Sequence, residues 1–159
     1  MILITHSIIG SALTHRVAQV PAAFFAGLLS HYLADAIPHW HYPVPTIKKA
    51  VQAPYGERTL TIRTAPYREI VRVAIDVVIG LSLSLFLFSG SLEIIIAGVL
   101  GAILPDLMVG LSRFWPNPVL IAHERFHKWI HSTLMLDDRP LIGIGSQVAL
   151  VAVFVFLFR

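Results

Sequence analysis

Two pairs of residues that commonly bind metals stand four positions apart in this chain. His31 and Asp35 form the first pair, and His127 and His131 form the second. Side chains at positions i and i+4 of a helix project from the same face, so each pair can offer two atoms to one ion. A combination of imidazole nitrogen with carboxylate oxygen suits zinc, manganese or iron better than calcium. The spacing therefore predicts a metal site built on helices.

Other ionisable residues in apolar runs extend this candidate set. Asp106 follows a proline inside a long apolar segment, and His6 lies near the start of the chain. Asp76 and His39 are weaker candidates, as metal ligands, as catalytic groups or as partners that orient a ligand's second nitrogen. Such residues are costly in apolar surroundings unless a partner neutralises them. We expect the metal ligands to be His6, His31, Asp35, Asp106, His127 and His131.

Purely structural roles are the competing interpretation of these residues. A lone histidine at a membrane surface is usually solvated, and His41, in a Pro-rich turn, is expected to be such a residue. Asp76 stands four residues after Arg72 and could form a salt bridge with it. Asp106 could simply end a helix. Structural roles would have to explain two i,i+4 pairs and separate acids together, so a metal site is the stronger interpretation.

The composition is that of a membrane protein. Of the 159 residues, 56% are hydrophobic and only 13% are charged, against roughly 25% charged residues in an ordinary soluble domain. The absence of cysteine excludes disulfides, thiolate metal sites and cysteine nucleophiles. The net charge of +3 comes without a dense basic block, so no nucleic-acid partner is expected. The length corresponds to a single domain, 1–159, and no cleaved signal peptide is expected.

Apolar runs predict an all-α polytopic membrane bundle with about five membrane segments. The most apolar run, at the C-terminal end, has the ~20 residues that a spanning helix needs. The first run is short and is expected to be tilted or only partly inserted. The five expected segments are Ile2–His15, Val17–Ala36, Ile70–Phe88, Leu92–Ser112 and Pro140–Phe158.

Two remaining segments are more polar. Residues 38–67 are rich in proline and basic residues, which predicts an exposed loop. Residues 117–135 predict an amphipathic helix that lies at the membrane surface, with Asn117 as its N-cap and Pro118 at its first position.

Alternation of the five segments across the bilayer brings the polar candidates to one side. The second segment ends with His31 and Asp35 beside the 38–67 loop. Ten of the twelve Lys and Arg residues fall on this same side, and only Arg16 and Arg159 fall on the other. Because Lys and Arg are enriched in cytoplasmic loops, the N-terminus and the metal site are expected to be cytoplasmic.

Four motifs resemble those of the membrane-bound metal-dependent hydrolase family of bacterial inner-membrane proteins. They are Thr5-His6, residues 30–39 (SHYLADAIPH), residues 101–106 (GAILPD) and residues 126–131 (FHKWIH). The resemblance implies a multi-pass inner-membrane protein that hydrolyses a substrate which the motifs do not specify. The 31–39 element is also similar to a ligand helix of zinc-dependent phospholipase C and the S1-type nucleases. The rest of that superfamily's ligand set is not found here, so the number of metals stays open.

The leading functional hypothesis is a membrane-embedded, metal-dependent phosphoesterase. A divalent ion would activate water for attack on a lipid-linked phosphate, and basic residues such as Arg72, Arg113 and Arg125 could hold the anionic head group. Zinc is the expected metal, with manganese, iron and magnesium as alternatives, in one or two ions. The expected partners are the lipid bilayer and a lipid-like phosphate substrate. The alternative is a membrane metal-binding or ion-transport protein without hydrolytic activity.

Overall fold

The computed structural model describes residues 1–41, 44–61, 63–134 and 136–159. Seven helices lie in these ranges, and no strand does, which confirms the all-α class. The helices are α1 (Leu3–Thr14), α2 (Val20–Asp35), α3 (Pro45–Gln52), α4 (Tyr67–Leu87), α5 (Leu92–Phe114), α6 (Pro118–Ile130) and α7 (Pro140–Phe158).

Three of these helices, α4, α5 and α7, are long and apolar enough to cross a membrane. The expectation of five membrane segments is therefore wrong, because α1 has only 12 residues and α2 only 16. At 1.5 Å per residue they reach roughly 18 and 24 Å, which is short of the ~30 Å hydrocarbon core.

The shortness of α1 reflects its place at the centre of the bundle. Most of its residues are buried, and it contacts α2, α4, α5 and α7. Apolar helices of this length are typical of protein cores rather than of bilayer spans. Small residues allow the close approach: Gly80 of α4 lies against Ser7, and Gly10 lies against Ala102 of α5.

Glycines also bring α2 and α5 into direct main-chain contact. Gly27 of α2 faces the main chain of Gly98, and Gly101 of α5 faces the main chain of residues 24–28. A methyl group at either Gly27 or Gly101 would overlap backbone atoms of the other helix. This contact fixes how far apart the two helices lie where they carry His31, Asp35 and Asp106.

A buried arginine links the connection formed by residues 38–67 to the helix bundle. Arg113, near the end of α5, forms an ion pair with Glu124 of α6. It also donates hydrogen bonds to three main-chain carbonyls of residues 51–54. The 38–67 connection, expected to be an exposed loop, thus contains α3 and is held against α5, and its Leu60 is buried.

The amphipathic helix begins as expected and ends early. Asn117 caps α6, since its Oδ1 accepts hydrogen bonds from the main-chain N–H groups of Val119 and Leu120. The helix stops at Ile130, five residues before the expected end, and His131 has an extended ψ of 134°. His127 and His131 therefore do not share a helical face.

Candidate metal centre

Four potential ligand atoms converge where α2, α5 and α6 meet, and we call these residues the central group. It consists of His31 and Asp35 in the last turns of α2, Asp106 of α5 and His127 of α6. His127 Nε2 lies 2.9 Å from His31 Nε2, 3.2 Å from Asp35 Oδ2 and 3.4 Å from Asp106 Oδ1. His31 Nε2 lies 3.3 Å from Asp35 Oδ2 and 3.9 Å from Asp106 Oδ1.

These distances fit a set of metal ligands. Two atoms bound at about 2.0–2.1 Å to a tetrahedral ion are about 3.3–3.4 Å apart, which is close to the separations in the central group. His31 Nδ1 lies 2.7 Å from the main-chain oxygen of Ala102, and this oxygen can only accept a hydrogen bond. The Nδ1 of His31 is therefore the donor, so Nε2 is the ring nitrogen that can bind a metal in the group. The residues present could bind a metal ion.

The electrostatics of the group also favour a cation. His31 and Asp35 are almost fully buried, whereas the side chain of Asp106 is 30% exposed. Burial disfavours the charged form of His127, but the adjacent carboxylates of Asp106 and Asp35 outweigh burial and raise the pKa of His127 to about 9. Two carboxylates and two imidazoles thus form a pocket that attracts positive charge and opens to solvent at Asp106.

His6 lies beside the central group. It is fully buried, and its ring stacks on that of His31 with 4.1 Å between ring centroids. Its Nε2 lies 3.2 Å from Asp35 Oδ1, yet neither ring nitrogen makes a hydrogen bond of good geometry within the described chain. The α-amino group of Met1 lies 3.1 Å from the same oxygen. One oxygen of Asp35 therefore faces the central group, and the other faces α1.

Three further histidines, His39, His41 and His131, form a second cluster that we call the loop group. His41 Nε2 lies 3.0 Å from His39 Nε2 and 3.3 Å from His131 Nε2. His131, expected beside His127, lies here instead because α6 ends one residue before it. His41, expected on the surface, is half-buried.

The two groups adjoin each other at Asp35. His39 Nε2 lies 3.5 Å from Asp35 Oδ1, and His131 Nε2 lies 3.8 Å from Asp35 Oδ2. Burial and the nearby ammonium of Met1 lower the pKa of His39 to about 3, so this ring is neutral. Asp137 lies behind His41, where hydrogen bonds from Lys48 and His41 outweigh burial and hold its pKa well below its usual range.

Asp76 and His123 lie outside both groups. Asp76 Oδ2 accepts a hydrogen bond of 2.7 Å from the main-chain N–H of Leu3, so this carboxylate caps the first turn of α1. His123 Nε2 lies 3.2 Å from the hydroxyl of Tyr32. The expected catalytic role of Asp76 would require the same carboxylate to act at the metal centre and to cap α1.

The sequence reasoning did not select three residues in or beside the loop group. His41, Asp137 and Lys48 are joined by hydrogen bonds, although they come from three separate segments. One sequence signal pointed to His41, because residues at i and i+2 of an extended chain share a side and His39 and His41 have that spacing. Nothing in the sequence identifies Asp137 as its partner.

The fold and the site together define a class of protein: an all-helical protein with three helices able to cross a membrane and His/Asp clusters that could bind a metal ion. No family model, no curated protein and no solved structure matches the chain.

Proposed function

We propose that the protein is a membrane-embedded, metal-dependent hydrolase that cleaves a phosphoester bond in a lipid-linked phosphate. The observation that carries the proposal is the central group, in which two imidazoles and two carboxylates converge at ligand-like distances among apolar helices. The proposal includes an inner-membrane location with the N-terminus and the site on the cytoplasmic side. The distribution of Lys and Arg supports this orientation.

The residues of the central group have different roles: some would hold the metal ion in place, and one is exposed. A zinc ion there, or manganese, iron or magnesium, would supply Lewis acidity that activates water and neutralises phosphoryl oxygens. His31 is held in one orientation by the Ala102 carbonyl, and Asp35 is fixed between two histidines. Asp106 is the most exposed member, so water can reach the group from its side.

The basic residue that binds the head group is not Arg113. Its guanidinium is buried and engaged by Glu124 and by three main-chain carbonyls. Arg125 and Lys128 of α6 both lie over the ring of Tyr55 and stay near the surface. These two cations are better placed on the exposed side of α6 to meet an anionic lipid head group.

An apolar groove supports a lipid rather than a soluble substrate. It has a volume of about 330 Å³ and runs between the end of α2 and the side of α7, with Ile37, Leu150 and Val153 in its walls. Met1 also lines the groove, and its amino group contacts both Asp35 and His39. A hydrocarbon chain in this groove would place a linked phosphate next to the metal centre.

The proposal is tested on detergent-purified, zinc-loaded protein with phospholipids and isoprenoid phosphates. We expect release of phosphate or of the head group, and we expect His127→Ala to lose turnover together with the metal ion of the central group. His15→Gln is the matched control, since His15 is another buried histidine but contacts only α1 and Phe88 among the described partners. Its metal content and turnover should be unchanged.

Substitution in the groove tests the lipid specifically. Ala149→Trp should fill the groove and raise the KM for a long-chain substrate, while turnover of a short-chain phosphate is retained. Val148→Trp, on the exposed face of the same helix, is its control. Metal-loaded protein that cleaves none of these substrates but moves zinc into proteoliposomes would contradict hydrolysis and favour ion transport.

A further inference from the structure

We propose that the loop group is a second metal site, distinct from the central group, in which His39, His41 and His131 bind a divalent ion through Nε2. An all-imidazole site suits zinc, cobalt, nickel or copper and disfavours magnesium and calcium. Binding at this site stands on its own geometry, whereas any part that its ion plays in catalysis rests on the proposed function.

The hydrogen bonds of the three rings determine which nitrogen carries the lone pair. Each Nδ1 lies next to an oxygen that can only accept: His39 next to the Ile37 carbonyl at 2.6 Å, and His131 next to the Ser132 carbonyl at 3.1 Å. His41 Nδ1 lies 3.0 Å from Asp137 Oδ1, a carboxylate oxygen. All three Nδ1 atoms are therefore donors, so Nε2 is the nitrogen of each ring that can bind a metal.

The three lone pairs converge on one point. The Nε2 atoms are separated by 3.0 Å between His39 and His41 and by 3.3 Å between His41 and His131. Acceptors this close repel each other unless a proton or a metal cation lies between them. The separations are close to the ~3.3–3.4 Å expected for two nitrogens on one tetrahedral zinc ion. The amino group of Met1 lies 2.7 Å from His39 Nε2 and can donate a hydrogen bond to this one of the three rings.

The Nδ1 of His41 is oriented by a carboxylate, as is typical of histidines that bind a metal through their other ring nitrogen. Asp137 accepts hydrogen bonds from both Nδ1 and the main-chain N–H of His41, and it is itself held by Lys48 at 2.6 Å. Carboxylates that fix a ligating histidine in this way raise metal affinity, typically by 10–100-fold. Asp137 and Lys48 are therefore positioning residues, and neither reaches the three Nε2 atoms.

Asp35 places the two sites side by side. Its Oδ1 is 3.5 Å from His39 in the loop group, and its Oδ2 is 3.2 Å from His127 in the central group. One carboxylate therefore borders both clusters, and two bound ions would lie on either side of it. A pair of neighbouring ions is a common arrangement in enzymes that cleave phosphoesters.

Metal counting on the full chain tests the second site without any substrate. Protein purified without a polyhistidine tag is stripped with EDTA and titrated with Co²⁺, and binding is followed by visible absorption and by elemental analysis. We expect two equivalents in the wild type and in His15→Gln. His41→Gln and His131→Gln should each bind one equivalent, and His127→Ala should keep the loop-group equivalent.

Positioning variants keep the test decisive if a histidine variant fails to fold. Asp137→Asn should still bind two equivalents, with the affinity for one of them at least tenfold lower, and Lys48→Met should weaken the same equivalent. A wild type that binds a single equivalent, or folded His41→Gln and Asp137→Asn proteins that bind cobalt as the wild type does, would overturn the second site. Neither result depends on hydrolysis, and a missing hydrolytic activity would leave a count of two intact.

Discussion

A single methyl group at Gly101 tests whether the contact between α2 and α5 sets the geometry of the central group. A Cβ at this position would lie 2.9 Å from the main-chain nitrogen of Leu28 and closer still to the carbonyl oxygen of Phe24. Ordinary contacts of a Cβ begin at 3.4 Å, and backbone atoms on both sides cannot rotate away. Gly101→Ala must therefore separate the helices by about 0.5 Å or more.

The separation acts directly on a metal ligand. Ala102, the next residue, accepts the hydrogen bond that orients His31, and this bond of 2.7 Å would lengthen by a similar amount. Overpacking of this kind costs about 1–3 kcal/mol, which corresponds to a fall in Tm of roughly 2–12 °C for a chain of this size. Loss of an orienting hydrogen bond should lower zinc affinity by roughly tenfold or more, although no ligand has been changed.

The assay combines thermal unfolding in detergent with a zinc titration. Gly110→Ala is the matched control because it lies on the same helix and a Cβ there meets nothing within 4 Å. It should leave zinc binding unchanged and raise stability slightly, by up to ~1 kcal/mol, since alanine is the better helix former. A Gly101→Ala protein with wild-type Tm and wild-type zinc affinity would refute the idea that this contact positions the site.

Three further predictions concern the supports of the site and its orientation. Asp76→Ala should destabilise the protein by about 1–3 kcal/mol, because it leaves the first turn of α1 without a hydrogen-bond acceptor. Asp76→Asn should cost less stability. A stable, metal-loaded Asp76→Asn protein without turnover would instead support a catalytic role for Asp76. Arg113→Met should lower the free energy of unfolding by about 3–5 kcal/mol, because it leaves Glu124 buried without its partner, and a second substitution, Glu124→Leu, should recover part of that stability. An unchanged Tm in the Arg113→Met protein would contradict a stabilising role for this ion pair. In this cysteine-free chain, single cysteines at Lys48 and Arg159 should be labelled from opposite sides of the membrane, and labelling from one side would refute the proposed topology.

The long helices could be predicted from the sequence because their boundaries follow from apolar runs. The expected segment Pro140–Phe158 coincides with α7, and Leu92–Ser112 differs from α5 by two residues at one end. Hydropathy does not reveal whether an apolar helix is covered by lipid or by protein, which is why α1 was expected to insert. The change from five spans to three leaves the predicted sides unaltered, since α1 and α2 together return the chain to the side from which it started.

The candidate site was predictable where helical periodicity governs it and unpredictable where the chain leaves a helix. The pairing of His31 with Asp35 follows from their spacing on α2. His131 joins the loop group because α6 ends at Ile130, and the sequence has no glycine or proline there to mark the end. The Asp137–His41 contact spans 96 positions and depends on tertiary packing alone.

The lengths of the helices also place the central group at a definite depth. Asp106 stands eight residues before the end of α5, or roughly 12 Å along the helix, and α5 exceeds the ~30 Å hydrocarbon core by roughly 4 Å. If α5 spans the bilayer as proposed, the group would lie about 8–12 Å below the surface of the core. α2 ends at this depth, with Asp35 as its last residue.

In this proposed arrangement α2 stops below the membrane surface, so the space above it would have to be filled by polar chain that folds back. Residues 38–41 and α6 occupy that position, which is why histidines from a loop reach the same carboxylate as histidines from helices. A soluble phosphate would have to enter from above through this polar cover. A lipid could enter sideways along the groove between α2 and α7, one of whose lining residues, Met1, contacts Asp35. The depth of the site and the direction of the groove thus favour the same class of substrate, one that is already in the membrane.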